Sequence, residues 1–61
     1  MKNEYAIYFV WNDGFEDSVK VTGARDRDIK IKDMLDRKDF FAITYCIIYA
    51  NGDYGMTMKV I

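Results

Sequence analysis

The side chains able to do chemistry in this chain are few and scattered. There is no histidine, so the commonest general base is missing and neither a Ser–His nor a Cys–His pair can be assembled. The single cysteine, Cys46, lies in the middle of an apolar run. Nothing basic adjoins it to favour a thiolate, and it reads as a small hydrophobe. Asp13, Glu16 and Asp17 crowd around one turn and offer oxygen ligands to a hard cation. Their spacing is not that of an EF-hand loop, and turn and edge-strand roles account for them. Gly52 and Gly55 meet the needs of a hairpin rather than of a phosphate-binding loop. Lacking a base, an activated nucleophile and a ligand set, the chain reads as non-enzymatic, with no catalytic residue, no cofactor and no metal.

What remains is aromatic surface. Five Tyr, four Phe and one Trp are spread over 61 residues, and tyrosines on a sheet can stack bases. Tyr8, Tyr45 and Tyr49 are the candidates. Electrostatics oppose that use: nine basic and ten acidic residues leave a net charge of −1. Most helical Lys and Arg have an acidic neighbour at pairing distance, which leaves Lys2, Lys20 and Lys59 as a thin phosphate track. A protein partner is therefore the first reading and a single-stranded nucleic acid the second.

The elements that must position these groups follow from periodicity and turns. Residues 4–11 alternate as a strand with Tyr5, Ile7, Phe9 and Trp11 on one side and Ala6, Tyr8 and Val10 on the other; a strand apolar on both faces suits a central place. Asn12-Asp13-Gly14 predicts a three-residue loop with Gly14 in the left-handed position of a G1 bulge. That loop pairs Trp11 with Phe15, Ile7 with Val19 and Tyr5 with Val21. The second strand, 15–22, alternates more cleanly and reads as an edge, with Asp17 placed where an edge favours charge.

Gly23 ends that strand. Residues 25–37 read as a helix capped by Asp26 or Thr22, with Ala24, Ile31, Met34 and Leu35 inward, flanked by the stems of Arg27 and Lys38, and with Ile29 outward. Asp26–Lys30, Asp28–Lys32 and Asp33–Arg37 have the favourable i,i+4 order. The last third, Phe41 to Ile61, reads as one hairpin folded at Asn51-Gly52 in a two-residue type I′ turn. That register places Tyr49 opposite Tyr54, Ile47 opposite Met56, Tyr45 opposite Met58 and Ile43 opposite Val60, all on one heavy face. Ala42, Thr44, Cys46, Ile48, Gly55, Thr57 and Lys59 fall on the light one.

The expected fold is a single α+β domain over residues 1–61, ββαββ, with a four-stranded, mainly antiparallel sheet and one helix across its bulky face. Its element order resembles that of the β-grasp folds and of the small immunoglobulin-binding domains of streptococcal protein G, in topology and length rather than in any motif. That resemblance implies strand order 2-1-4-3, with strand three at an edge. Hydrophobicity argues for 2-1-3-4, because strand three is the most apolar segment of the chain, unless strand three is an edge that a partner covers.

A chain this short buries only about 60% of the surface it exposes unfolded, and one cysteine gives it no internal disulfide. Aromatic packing and self-association are the available compensations, so a homodimer is expected. The expected interface consists of Tyr8, Val10, Cys46 and Ile48 on the face away from the helix, with Trp11, Phe15, Tyr49 and Tyr54 at the two ends of the sheet. Partners on a membrane are not expected: no apolar run approaches the ~20 residues of a membrane span, and the N-terminus is not a signal peptide. The lone thiol and the Lys-, Asn-, Ile- and Tyr-rich, proline-free composition suit the cytoplasm of a bacterial host or phage-infected cell.

Overall fold

The computed structural model describes residues 2–61. Its elements are β1 (Glu4–Trp11), β2 (Glu16–Thr22), α1 (Ala24–Arg37), β3 (Phe40–Ile48) and a short β4 (Met58–Lys59). They form one four-stranded sheet in the order β2-β1-β3-β4, antiparallel throughout. The most apolar strand is thus interior, as its hydrophobicity demands. The order implied by the β-grasp likeness is overturned, and so is the idea that strand three offers a free edge for a partner.

The first hairpin forms in the expected register, with Tyr5 opposite Val21 and Ile7 opposite Val19. Trp11 N–H donates to the Phe15 carbonyl at 2.8 Å and Gly14 N–H to the Trp11 carbonyl at 2.8 Å; Gly14 has φ 93°. These are the marks of a type I turn closed by a left-handed glycine. The second hairpin uses the same device one residue out of phase with expectation. Tyr49 N–H donates to Asp53 and Gly52 N–H to Tyr49. Among the described residues only Lys38 and three glycines have positive φ, so Asn51 does not, and a type I′ turn is excluded. The Asn51 side chain is occupied locally: its Oδ1 accepts from Asp53 N–H at 3.0 Å and its Nδ2 donates to the Asp53 carboxylate at 3.1 Å.

This shift has consequences for the sheet faces. Tyr54 pairs with Ile48 instead of Tyr49, which moves its ring from the heavy face to the light one. Gly55 N–H donates to the Ile47 carbonyl, which moves Gly55 the other way. An irregularity between Gly55 and Met58 then restores the expected alignment, with Tyr45 opposite Met58 and Val60 N–H donating to Ile43. Met56, expected opposite Ile47 in the core, falls in that irregularity and is 83% exposed.

The core lies between the heavy face and α1. Ile7, Phe9, Ile31, Met34, Phe40 and Ile43 form it, with Trp11, Val19, Val21, Tyr45 and Val60 packed around. α1 presents Ile31 and Met34 inward and Ile29 outward. Ala24 and Leu35 are exposed instead of inward, because only the narrow stripe at 27, 31, 34 and 37 meets the sheet. Arginines flank this stripe. The Arg27 guanidinium stands 4.7 Å from the Tyr5 ring centroid and 4.9 Å from that of Tyr45. Arg37, where Lys38 was expected, stands 5.6 Å from Trp11 and 5.7 Å from Phe40. Cations over π-faces therefore extend a short apolar stripe at both ends.

With both arginines turned inward, the helical ion pairs are not the three expected. Among the described residues the pairs are Arg27–Asp28, Lys32–Asp36 and Arg37–Asp39. Nor does a side chain cap the helix: Gly23, at φ 90°, occupies the N-cap, and its N–H donates to the Asn3 carbonyl at 2.7 Å. Lys38 ends α1 in the left-handed conformation. Its carbonyl accepts from Asn12 Nδ2, and Asn12 N–H donates to the Asp39 carbonyl, tying the first loop to the helix–strand link. Just beyond, β3 bulges. Val10 faces Ala42 and Trp11 faces Phe40, which leaves Phe41 as a surplus residue, 75% exposed.

Candidate functional site

The face of the sheet turned away from α1 is built by alternation. Facing residues are Ala6, Tyr8 and Val10 from β1 and Ala42, Thr44, Cys46 and Ile48 from β3, in the rows Ala6–Cys46, Tyr8–Thr44 and Val10–Ala42. β2 adds Glu16, Ser18, Lys20 and Thr22 along one side. On the other side Lys59 stands beside Thr44 and Tyr54 beside Ile48.

The centre of this face is small and the rim is large. Ala6 and Cys46, 2% and 3% exposed, form its floor, while Tyr8 and Tyr54, 40% and 50% exposed, stand proud of it. Val10, Ala42, Thr44 and Ile48 are half-buried. Cys46 therefore fills space beneath the tyrosines, as a small hydrophobe does, and a partner resting on the face meets the residues around it. Desolvation raises the Tyr8 phenol above its ordinary value of 10.0, nearby Cys46 and Tyr54 add to the shift, and Lys20 opposes it. The shift thus favours the neutral phenol.

At the lower end of the face Glu4, Lys20, Ile48 and Tyr54 line a shallow open depression with Lys2 and Tyr49. Its walls are one acid, two lysines and two phenols, an arrangement suited to a polar contact rather than to bond-breaking. No group of three or more potential metal ligands lies together among the described residues. Asp13 is committed to its loop, accepting from Phe15 N–H at 3.0 Å, and Asp17 accepts from Ser18 N–H at 2.8 Å.

The residues expected at the ends have different fates. Trp11 is half-buried and engaged internally, 4.5 Å from Phe40 and edge-on to Phe9 at 5.8 Å between ring centroids. Phe15 remains largely exposed beside it, and Tyr49 is exposed at the opposite turn. The structure thus brings together Tyr8, Val10, Ile48 and Tyr54 above Cys46, has Tyr49 join Ile48 and Tyr54 in the depression at the lower end, and leaves Phe15 apart from that group. Sequence periodicity missed the exposure of Phe41, Met56, Met58 and Ile61. Bulges turn out Phe41 and Met56, and only the Phe40-Phe41 doublet hinted that one of a pair must do so; Met58 keeps its alignment with Tyr45 and is exposed beside it. Among the described residues no helix is long and apolar enough to cross a membrane.

No protein-family model matches this chain, nor does any curated protein or solved structure.

Proposed function

We propose that this chain is a small non-enzymatic interaction module that acts by binding another protein through the open face of its sheet. Its size and composition suit a phage-type or mobile-element regulator or inhibitor, working in the cytoplasm by covering a surface of its target. The observation that carries the reading is the makeup of the face. Its two central strands present no charge between Ala6 and Val10 or between Ala42 and Ile48, and two half-exposed tyrosines flank Ile48 and Cys46. Uncharged centres bearing tyrosine with charges held to the rim are the anatomy of protein interfaces.

A second reading rests on one specific observation. Lys20 and Lys59 stand on the strands that border Tyr8 and Thr44, so a stacked base on Tyr8 has a lysine on either side for its phosphates. The net charge of −1 and the acids Glu4 and Glu16 on the same face weigh against it.

An affinity capture from host lysate, repeated after nuclease and in the Ile48→Asp variant, separates the two. A protein captured from nuclease-treated lysate, held in moderate salt and lost with Ile48→Asp, supports the module reading. Capture that disappears with nuclease, or that collapses between low and moderate salt, overturns it in favour of nucleic acid.

A further inference from the structure

We infer that the open face takes a second copy of this chain, forming a two-fold homodimer in which the two sheets pack face to face. The inference rests on the reading of that face as a protein interface and names its occupant.

Charge favours a second copy. Among the described residues six ionic side chains edge the face: Lys2, Glu4 and Lys20 at its lower end, Glu16 and Asp17 at its upper end, and Lys59 on β4. Three acids and three bases cancel. A nucleic acid or a basic partner would find no excess of opposite charge, whereas a surface of zero net charge with both signs on its rim is compatible with itself across a two-fold axis. The uncharged centre, where like charges would otherwise meet on the axis, fits the same operation.

Area agrees. The molecule measures 35 × 19 × 15 Å along its principal axes, and its broad face is the sheet. The rectangle of the two longer extents sets a ceiling of roughly 650 Å² per copy and roughly 1,300 Å² per pair, so a fully covered face reaches the lower end of the ~1,200–2,000 Å² of specific complexes. The isolated chain also carries more surface than its mass calls for. It exposes 4552 Å², against about 4,100 Å² for a compact monomer of its size. Its radius of gyration of 11.5 Å compares with about 10.5 Å for a compact chain.

The alternative of joining sheets edge to edge at β2 is impeded at one of its outward donors. Ser18 is among the residues whose backbone points away from β1, and its N–H is already taken by the Asp17 carboxylate at 2.8 Å, so a partner strand finds its donor occupied. Stacked sheets, about 10 Å apart with strands near −30°, leave that arrangement untouched and cover Tyr8, Val10, Ile48 and Tyr54 together.

Sedimentation equilibrium of the purified 61-residue chain alone, over roughly 5 to 500 μM, tests this without any other partner. The expected result is a mass rising from 7.2 kDa toward twice that value. Ile48→Asp, and separately Tyr54→Glu on the more exposed rim, should weaken association by ~30-fold or more, while Ile29→Asp on the outward side of α1 leaves it unchanged. Far-UV circular dichroism identifies folded variants, and Tyr54→Glu carries the test if Ile48→Asp does not fold. A wild type that stays at 7.2 kDa throughout overturns the inference. So does a dimer that tolerates both face variants and is broken by Phe41→Asp, which would place the contact at Phe41. A monomer that still captures a lysate protein through Ile48 overturns the homodimer and spares the module reading; a dimer that captures nothing does the reverse.

Discussion

Replacing Arg27 with alanine should destabilise the fold by about 2 kcal/mol, although Arg27 is a charged residue on a helix whose outer face is solvated. Its guanidinium lies 4.7 Å and 4.9 Å from two ring centroids, and its side chain is only 19% exposed. A cation over one ring contributes about 0.5–1 kcal/mol when exposed and about 2 when desolvated; two partly shielded rings give about 1.5 kcal/mol. The buried stem adds a few tenths to about 1 kcal/mol, and alanine's better helix propensity returns about 0.2. The neighbouring contact with Asp28, which holds the Arg27 guanidinium even more firmly protonated than usual, is largely exposed on the acid's side and contributes little. With an unfolding entropy near 2.1 cal/mol/K per residue, 2 kcal/mol lowers Tm by roughly 15 °C. Thermal melts followed at 222 nm are the assay, with Arg25→Ala, fully on the solvent side, as the matched control. Arg27→Lys should recover less than half of the loss, because a compact ammonium does not stack across two rings. If Arg27→Ala falls within ~0.5 kcal/mol of Arg25→Ala, the arginine clamp is not what holds that end of α1 to the sheet.

Other expectations follow from particular positions. Gly52→Val should cost more than the roughly 1 kcal/mol of an ordinary glycine replacement, since φ is +91° and strain arises from the backbone alone; Asn51→Ala should cost about 1 kcal/mol or less, because Asn51 needs no positive φ, and equal costs in denaturant melts would restore the type I′ turn. Gly55→Ala should cost about 1–3 kcal/mol, because a Cβ there would stand 2.6 Å from Ile47 Cγ2 and 3.2 Å from the Tyr49 ring. In the double variant with Ile47→Ala the two losses should be less than additive, and full additivity in the same melts would show that no such crowding exists. Tyr8 should ionise above pH 10.0. A raised folded value favours the neutral phenol, so its contribution to stability is complete below the unfolded pKa and is lost as pH rises through the folded one. The difference between phenolate titrations of the wild type and Tyr8→Phe should therefore centre above 10.0, and a midpoint at or below that value would show that the ring is not desolvated.

Much of the fold was legible where two signals coincided. Alternation in 4–11 and the Asn12-Asp13-Gly14 loop fixed the same register, and both β1 and its pairing with β2 form as read. The apolar length of β3 argued for its interior place, but a covered edge remained the alternative until the order β2-β1-β3-β4 decided it. The Asn51-Gly52 hairpin was misread because a left-handed glycine serves both a two-residue turn and a three-residue turn with a G1 bulge; the choice lay in Asn51's local hydrogen bonds to Asp53, which no pattern of hydrophobicity records. One residue of shift then sent Tyr54 to the open face, strengthening the candidate site for a reason periodicity could not supply. The helix was found and the stem of Arg27 was placed beside its inward face, though not its two rings; reading Arg37 as the solvated partner of Asp33 hid that it faces Trp11 and Phe40.

The bulge in β3 sets Phe40 in the core and its identical neighbour in water. Excising Phe41 would leave Phe40 opposite Trp11 and Ala42 opposite Val10 with no gap between them, an uninterrupted ladder one residue shorter. Loss of that one residue would therefore leave the pairing on either side in place. Phe41 adds apolar surface outside the core.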